Sequence, residues 1–177
     1  MSVNTRTAFV ALGSNLGDRD ATLESALFAL DAEPGVTVAA VSGFHTTTPV
    51  GGPLDQDDYL NAVVRLAVQR TPEELLEVLM RIEAEHGRDR SNAVSNGPRT
   101  LDLDLLWVAR ESAHVSQTGS MGEERATAAL SLPHPRMEER LFVLEPLAEI
   151  APGFVLPISG VPVRARIDAL RLEEVAR

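Results

Sequence analysis

Apolar and polar positions in the first part of the chain repeat with periods that predict a strand, a helix and two further strands. Thr7–Leu12 is a short apolar run that ends in turn-forming residues, as a buried strand does. From Thr22, leucine and alanine recur at helical spacing until Pro34-Gly35 ends the pattern. Val36–Val41 is rich in valine, and Tyr59–Val68 alternates, with its apolar residues on one face. A proline- and glycine-containing loop separates these last two strands.

A second helix and a fourth strand follow. Thr71, Pro72 and Glu74 have the spacing of a capping box with proline at the first helical position, and Gly87 is the predicted end of the helix. Thr100–Val108 alternates and predicts a strand. The β-α-β-β-α-β order is that of ferredoxin-like folds, so we predict an α+β protein with an antiparallel sheet and helices packed on it.

The remaining third of the chain has a weaker pattern and is predicted to be a C-terminal extension of this core. We expect a long mobile loop, a helical stretch, an apolar segment and a short helix: Arg110–Thr127, Pro133–Arg140, Phe142–Ile150 and Ile167–Leu170. The sequence contains neither an internal repeat nor a linker, so residues 1–177 are predicted to form a single domain.

Composition excludes several classes of chemistry. The formal net charge is −10, which argues against general affinity for nucleic acid or anionic membrane. All 16 basic residues are arginine, and cysteine is absent, which excludes Schiff-base lysines, phosphate-loop lysines, disulfides and thiolate metal sites. The first apolar run, Ala8–Leu12, is too short for a signal peptide core or a membrane span, so we expect a cytoplasmic protein.

Two carboxylates two residues apart give the strongest chemical signal. Strand alternation places Asp102 and Asp104 on one face, while Leu101, Leu103 and Leu105 point toward the helices. Two carboxylates on one face repel each other unless a cation lies between them, and oxygen ligands favour Mg²⁺. The alternative is a solvated acidic face. Because aspartate is a poor strand former, its use twice in one strand favours the metal site.

Arginines form a second group near this strand. Guanidinium groups bind phosphate oxygens through paired hydrogen bonds and stay charged, so arginines beside metal-binding carboxylates suit a polyphosphate. Any single one of them is more often a solvated surface residue. The residues concerned are Arg88, Arg90, Arg99, Arg136 and Arg140, with His134 at the predicted start of a helix.

Tyr59 and Asn61 lie two apart on a predicted strand and therefore on one face. An aromatic ring beside a carboxamide can stack on a flat heterocycle and hydrogen-bond its edge, although core packing is the alternative. Gly13–Asp18 lacks the spacing and the lysine of a phosphate-binding loop, and we predict a tight turn between strand and helix.

Together these segments resemble the 6-hydroxymethyl-7,8-dihydropterin pyrophosphokinase family. The likeness covers residues 7 to 155 in order and rests on the following motifs: Ala11–Gly17, Asp58–Ala62, Gly97–Asp104, Leu132–Met137, Arg140 and Pro146–Pro152. The family has a ferredoxin-like core.

The resemblance implies transfer of the β,γ-diphosphate of ATP to the hydroxymethyl group of 6-hydroxymethyl-7,8-dihydropterin, with release of AMP, in folate biosynthesis. It implies small-molecule substrates, and we expect a monomer. By resemblance, Asp102 and Asp104 hold two Mg²⁺ ions, and these two residues together with Arg88 and Arg99 are the catalytic group. The implied ATP-binding residues are Arg88, Arg90, Arg99, His134, Arg140 and Glu83, and the implied pterin-binding residues are Thr47, Val50, Tyr59, Asn61 and Phe142.

The sequence departs from the family pattern at two places. Many members have Arg-Trp where this chain has Ser95-Asn96, and an arginine often found before the Pro-His motif aligns with Ala129, for which Arg125 is a candidate substitute. A non-catalytic ferredoxin-like ligand-binding or regulatory module is the alternative function, and in it the paired aspartates would be a solvated face.

Overall fold

The computed structural model describes residues 5–53, 55–88, 97–109, 122–127 and 129–176. Its strands are β1 (Arg6–Ser14), β2 (Val36–Val41), β3 (His45–Thr47), β4 (Tyr59–Val68), β5 (Asp102–Val108), β6 (Arg125–Ala126) and β7 (Ser131–Leu132). Its α-helices are α1 (Arg19–Ala32), α2 (Pro72–Glu85), α3 (Leu141–Ile150) and α4 (Val163–Val175), with one 3₁₀ turn at Met137–Glu139. The predicted mixed fold with an antiparallel sheet is confirmed.

The main sheet has the order β2-β4-β1-β5, and every neighbouring pair is antiparallel. β3 continues the edge formed by β2, because it pairs with the first residues of β4 while β2 pairs with the last. β1 is central, with β4 on one side and β5 on the other. Residues far apart in sequence therefore become cross-strand neighbours on β1.

Each face of the sheet is covered by its own hydrophobic cluster. On one face, Leu103 and Leu105 of β5 pack with apolar residues of α1 and α2, including Leu23 and Leu79. On the other face, Phe9 and Trp107 pack with residues of α3 and α4, including Leu147. As predicted, Leu101, Leu103 and Leu105 belong to the first cluster, so the aspartates between them face α3.

Local sequence signals account for the ends of the first two helices. Asp18 caps α1 by accepting a hydrogen bond from the Ala21 amide at 3.1 Å. The predicted capping box of α2 is present, because the Thr71 hydroxyl accepts from the Glu74 amide and the Glu74 carboxylate accepts from the Thr71 amide. Each cap satisfies an amide that has no partner within the helix.

The predicted helix through Pro133–Arg140 is wrong. Only Met137–Glu139 forms a 3₁₀ turn, and α3 begins at Leu141. The residues before the 3₁₀ turn bond to β5 instead of forming a helix, because the His134 amide donates to the Leu106 carbonyl. Pro135 has no amide hydrogen to donate. The apolar segment predicted after it is helix α3.

Two further differences concern the C-terminal third. Arg125–Ala126, which was expected to be part of a long loop, pairs with Ser131–Leu132 in a small second sheet, while residues 110–121 of that loop lie outside the described residues. α4 spans 13 residues, longer than the short helix expected at Ile167–Leu170. Within the described ranges, every helix is too short or too polar to cross a membrane.

Candidate active site

A cavity of about 590 Å³ lies against the α3-facing side of the sheet, at one end of the central strands. Its floor is one row of cross-strand neighbours, in which Asn61 of β4 and Asp102 of β5 both pair with Gly13 of β1. In the next row, Ala11 pairs with Asp104. Because both central positions are small, the floor between the polar side chains stays open.

Gly13 keeps the centre of this floor clear. A Cβ atom at this position would lie 3.2 Å from the Asn61 side-chain oxygen and 3.9 Å from both the Asp102 Cβ and the Tyr59 ring. A Cβ atom here would thus push against the Asn61 side chain and make ordinary van der Waals contact with Asp102 and Tyr59. Alternating small residues in β1 are the sequence signal for this floor, and the motif analysis attributed Gly13 only to a turn.

Asp102 is held between two arginines. Its Oδ2 accepts from Arg99 Nη1 at 2.6 Å, and its Oδ1 accepts from Arg88 Nη1. Arg88 also pairs with Glu83 of α2. Both oxygens of this carboxylate therefore have cationic partners, and two of the predicted phosphate-binding arginines converge on it.

Glu83 lies behind this pair rather than in the cavity wall. Its side chain is 1% exposed, and Oε1 accepts the Leu103 amide of β5 at 2.8 Å as well as Arg88. Among the described contacts, Glu83 therefore joins α2 to the outer edge of β5 and orients Arg88. Its predicted contact with ATP stays a prediction.

Asp104 is less well neutralised than Asp102. Arg140 Nη1 lies 3.5 Å and His134 Nε2 4.0 Å from Asp104 Oδ2, both longer than a strong ionic hydrogen bond. Burial raises the pKa of Asp104, and the negative charge of Asp102 raises it further. A cation between the two carboxylates would relieve this unfavourable charge, so the pair fits a hard divalent ion.

His134 is held in the turn before the 3₁₀ segment rather than at a helix start. Its Nδ1 accepts from the Arg136 amide at 3.2 Å, which leaves Nε2 facing Asp104. Burial lowers the pKa of His134. The neutral imidazole with hydrogen on Nε2 is the form that satisfies this geometry.

The predicted heterocycle-binding residues surround the other half of the cavity. Thr47, Val50, Tyr59, Asn61 and Phe142 all line it, Val50 as an exposed rim residue. The Asn61 amide donates to the Thr47 hydroxyl at 2.7 Å. Polar edge groups and aromatic rings thus meet in one open cavity.

Two contacts fix the aromatic rings. The Tyr59 hydroxyl donates to the Gly97 carbonyl at 2.9 Å, and burial raises the pKa of Tyr59. The Arg140 guanidinium lies 5.5 Å from the centre of the Phe142 ring, within cation–π distance. The aromatic half of the cavity is therefore tied to the charged half.

Asn15 is a site residue that the sequence analysis missed. It is 1% exposed, its Oδ1 accepts the Arg99 amide at 2.7 Å, and its Nδ2 donates to the Asp57 carbonyl at 3.2 Å. The Asn15 side chain thus joins two loops. One carries Arg99, and the other precedes Tyr59. Asparagine directly after a strand was the available signal, because its amide can bond two backbone segments.

α4 also contributes to the cavity, which the sequence analysis did not predict. Arg166, Leu170, Glu173 and Glu174 line it beside Arg136 and Glu139. These four residues of α4 match no sequence motif. The packing of α4 on α3 brings them to the cavity.

Arg125 does not line the cavity. It pairs with Glu73 at 2.7 Å and with Glu123 at 2.5 Å. Glu73 lies in the first turn of α2, ten residues and roughly 15 Å along the helix from Glu83. Arg90, Ser95 and Asn96 lie outside the described residues, and predictions about them stay open.

Comparison with known proteins places this geometry in a family. Residues 9–152 match the family described as 7,8-dihydro-6-hydroxymethylpterin-pyrophosphokinase (HPPK). The chain is 46% identical to the 2-amino-4-hydroxy-6-hydroxymethyldihydropteridine pyrophosphokinase of Bacillus subtilis, over 81% of this chain and 77% of that one. It is 45% identical to the protein of the same name from Methylorubrum extorquens, over 95% of this chain and 98% of that one.

Solved structures agree in fold. A crystal structure of an HPPK-DHPS protein in complex with substrates superposes with a TM-score of 0.69 at 12% identity, over 97% of this chain. This chain spans 44% of that longer protein. The fold likeness covers almost the whole chain, and the family match covers both halves of the cavity floor. The chain belongs to the 7,8-dihydro-6-hydroxymethylpterin-pyrophosphokinase family.

Proposed function

We propose that this protein transfers the β,γ-diphosphate of ATP to the hydroxymethyl group of 6-hydroxymethyl-7,8-dihydropterin, in folate biosynthesis. The bond between the hydroxymethyl oxygen and the β-phosphorus forms, the bond from that phosphorus to the AMP oxygen breaks with its electron pair staying on AMP, and the hydroxyl proton passes to water. The observation that carries the proposal is the cavity itself, in which Asp102 and Asp104 lie on the same sheet face as Asn61 and Tyr59.

The pterin side is assigned to the aromatic half of the cavity. Tyr59 and Phe142 supply flat surfaces for a bicyclic ring, and Asn61 with Thr47 supplies hydrogen-bonding groups for its edge. Val50 at the rim would contact the outer side of the bound ring. The Gly13 floor leaves the space in which the ring would lie.

The triphosphate side is assigned to the charged half. Arg88, Arg99 and Arg140 surround the carboxylates, and His134 lies beside Asp104. We assign Arg90 and Glu83 to the same subsite by family resemblance. Phosphoryl-type transfer is mainly a matter of positioning and charge neutralisation, so these groups suffice without a covalent nucleophile.

Asp102 and Asp104 would hold Mg²⁺, and we propose two ions. Such ions supply neutralisation of the charge that develops on the phosphate oxygens. Within the described residues, no group of three or more His, Asp or Glu side chains surrounds this position. That agrees with Mg²⁺ chemistry, because this ion commonly takes one or two carboxylates and completes its shell with water and substrate phosphates.

The contacts of Asp102 suggest how its arginines would act. In the ligand-free arrangement Arg88 and Arg99 neutralise the carboxylate. A bound cation would supply part of that neutralisation, and Arg99 and Arg88, the latter still paired with Glu83, would then donate to phosphate oxygens. The same two residues would serve the carboxylate before binding and the triphosphate after it.

We propose that the core is ferredoxin-like with α3 and α4 as a C-terminal extension, and that residues 1–177 act as one domain. We further propose a cytoplasmic monomer acting on small molecules. The family membership does not favour a non-catalytic binding module.

The test is to incubate the protein with ATP, Mg²⁺ and 6-hydroxymethyl-7,8-dihydropterin and to identify the nucleotide product. We expect AMP and the pterin diphosphate, with no AMP when the pterin is left out. ADP as the only product, or no product, contradicts the proposal.

Asp104→Asn tests the metal role in the same assay. Loss of the carboxylate charge should lower turnover at least about a hundredfold, the scale of losing one electrostatic contact to a transition state. Asp168→Asn is the matched control, because Asp168 is an exposed carboxylate on α4 that does not line the cavity. Full activity in Asp104→Asn would exclude the proposed metal site.

A further inference from the structure

Glu138 lies in the 3₁₀ turn next to the site and is almost fully buried. The residue is 6% exposed. Its Oε1 accepts a hydrogen bond from the Ile158 amide at 2.7 Å, and its Oε2 accepts one from the Ser159 amide at 3.0 Å. Both carboxylate oxygens are thus used to hold the turn before α4. A buried carboxylate bonded to two amides is a strong local constraint, because such charge-assisted hydrogen bonds are stronger than neutral ones.

The main chain of the same residue is held from α4. Arg166 Nε donates to the Glu138 carbonyl at 2.9 Å. Arg166 Nη1 lies 3.3 Å from Glu173, further along α4. The 3₁₀ turn is therefore fixed twice by the C-terminal segment, once through its side chain and once through its backbone. We call the three contacts between Glu138 and Ile158, Ser159 and Arg166 the C-terminal clamp.

Glu138, the centre of the clamp, lies three residues before Leu141, where α3 begins. Arg140 precedes that helix, and its carbonyl accepts the Val143 and Leu144 amides, each at 3.0 Å. Neither the 3₁₀ turn nor α3 has a side-chain cap at its N-terminus. The position of Arg140 and Phe142 therefore depends on what holds the turn in front of them.

We propose that Glu138 and Arg166 are positioning residues that hold Arg140 and Phe142 in place, on the charged and the aromatic side of the cavity. This role rests on the proposed function for its catalytic meaning. The partners of Glu138 lie in residues 158–166, outside the segment 9–152 that matches the family. The C-terminal segment would thus tune both substrate subsites from behind.

The experiment compares three variants for pterin binding, ATP binding and melting temperature. Arg166→Met removes the donor to the Glu138 carbonyl and keeps the apolar stem. Glu138→Gln weakens the two contacts to the amides and does not line the cavity, so its effect cannot come from direct contact with substrate. Arg171→Met is the control, because it removes the Arg171–Glu145 ion pair of 2.7 Å between α4 and α3 and leaves the clamp intact.

We expect Arg166→Met and Glu138→Gln to raise Kd for the pterin and KM for ATP about fivefold to tenfold, the scale of the net contribution of one ordinary hydrogen bond. Arg171→Met should leave both constants within twofold of the wild type. A purely structural role predicts instead a lower melting temperature with unchanged constants at temperatures where each variant is folded. That result would overturn the proposal.

A double-mutant cycle separates positioning from direct contact. If Arg166 acts through Arg140, Arg166→Met should not raise KM for ATP any further in an Arg140→Met background. Effects that multiply would show that Arg166 acts independently of Arg140, against the proposal. If Arg166→Met does not fold at the assay temperature, the same cycle is made with Glu138→Gln.

A readout without substrate keeps this test distinct from that of the proposed function. Hydrogen exchange at the Val143 and Leu144 amides should accelerate about tenfold in Arg166→Met and remain unchanged in Arg171→Met. Absence of AMP formation by the wild type would defeat the proposed function and leave this exchange result standing. Unchanged exchange in Arg166→Met would defeat the clamp whatever the activity.

Discussion

Gly13 and Asn61 are cross-strand partners on the cavity floor, and the space above Gly13 is bounded by the Asn61 side-chain oxygen, 3.2 Å from where a Cβ would lie. That spacing is closer than a comfortable van der Waals contact. The neighbour that would have to move is the group assigned to the edge of the pterin ring. We therefore expect pterin binding to require glycine at position 13.

Replacing Gly13 with alanine should weaken pterin binding. The new methyl group would displace the Asn61 amide and occupy part of the floor, and we expect Kd for the pterin to rise about tenfold, as for a loss near 1.4 kcal/mol. Fluorescence titration with the pterin measures it. Gly153→Ala is the matched control, since a Cβ there meets nothing within 4 Å. Equal affinities in the two variants would contradict the assigned floor.

Tyr59→Phe should reduce stability and spare stacking. The variant keeps the ring and loses the hydrogen bond from the hydroxyl to the Gly97 carbonyl, which should cost about 0.5–1.5 kcal/mol of unfolding free energy. Urea unfolding measures the loss, and Kd for the pterin should change less than twofold. Tyr59→Leu, which removes the aromatic face, should weaken pterin binding. If Tyr59→Phe and Tyr59→Leu bind the pterin equally well, the ring has no stacking role.

Thr71→Ala should lower stability without changing the site. It removes the side chain that caps α2 and leaves the Glu74 amide without that partner, at a cost of about 0.5–2 kcal/mol. Urea unfolding should show the loss, while KM for ATP and for the pterin stay at wild-type values. The cap is at the opposite end of α2 from Glu83. A change in either KM would mean that the start of α2 is coupled to the cavity.

Glu149 gives a pH dependence whose sign follows from its contacts. The Gly43 amide donates to Glu149 Oε2 at 2.7 Å, and His45 lies 2.7 Å from Oε1; these contacts, the amide first, lower the pKa of Glu149 below its usual range. A carboxylate with a lowered pKa in the folded state stabilises above its unfolded pKa, and the contribution is lost as the pH falls through the folded pKa.

Glu149→Gln should therefore differ most from the wild type at neutral pH. Because the side chain is 44% exposed, solvent screening limits the difference to about 0.2–1 kcal/mol. Unfolding free energies of the two proteins, measured by urea at pH 7 and at successively lower pH, should converge below the ordinary glutamate pKa. A gap that still widens as the pH falls below the ordinary glutamate pKa would reverse the assigned sign.

Strand alternation was the reliable part of the sequence signal. Leu103 and Asp102 had to face opposite sides of β5, because successive side chains in a strand do so, and the structure places them as predicted. Side chains on strands could be assigned to a face before any contact was known. The convergence of Tyr59, Asn61 and Asp104 followed once β4 and β5 both paired with β1.

The C-terminal third was less predictable for a physical reason. Pro133–Arg140 has polar and proline residues that permit a helix start, but the His134 amide is taken by the Leu106 carbonyl of β5, a partner that periodicity cannot reveal. The place of Arg166 at the cavity likewise depends on how α4 packs on α3. Such tertiary choices override local propensity.

The floor of the cavity also makes activity a report on strand alignment. Gly13, Asn61 and Asp102 come together only in the observed register of β1 with its two neighbours. A slip of β1 by one residue would turn Gly13 and Ala11 toward α1 and place Leu12 under the substrate. A misaligned chain could still be compact, but its floor would be blocked. In this protein, correct pairing of the central strands is therefore a precondition for an open cavity floor, and turnover would require it.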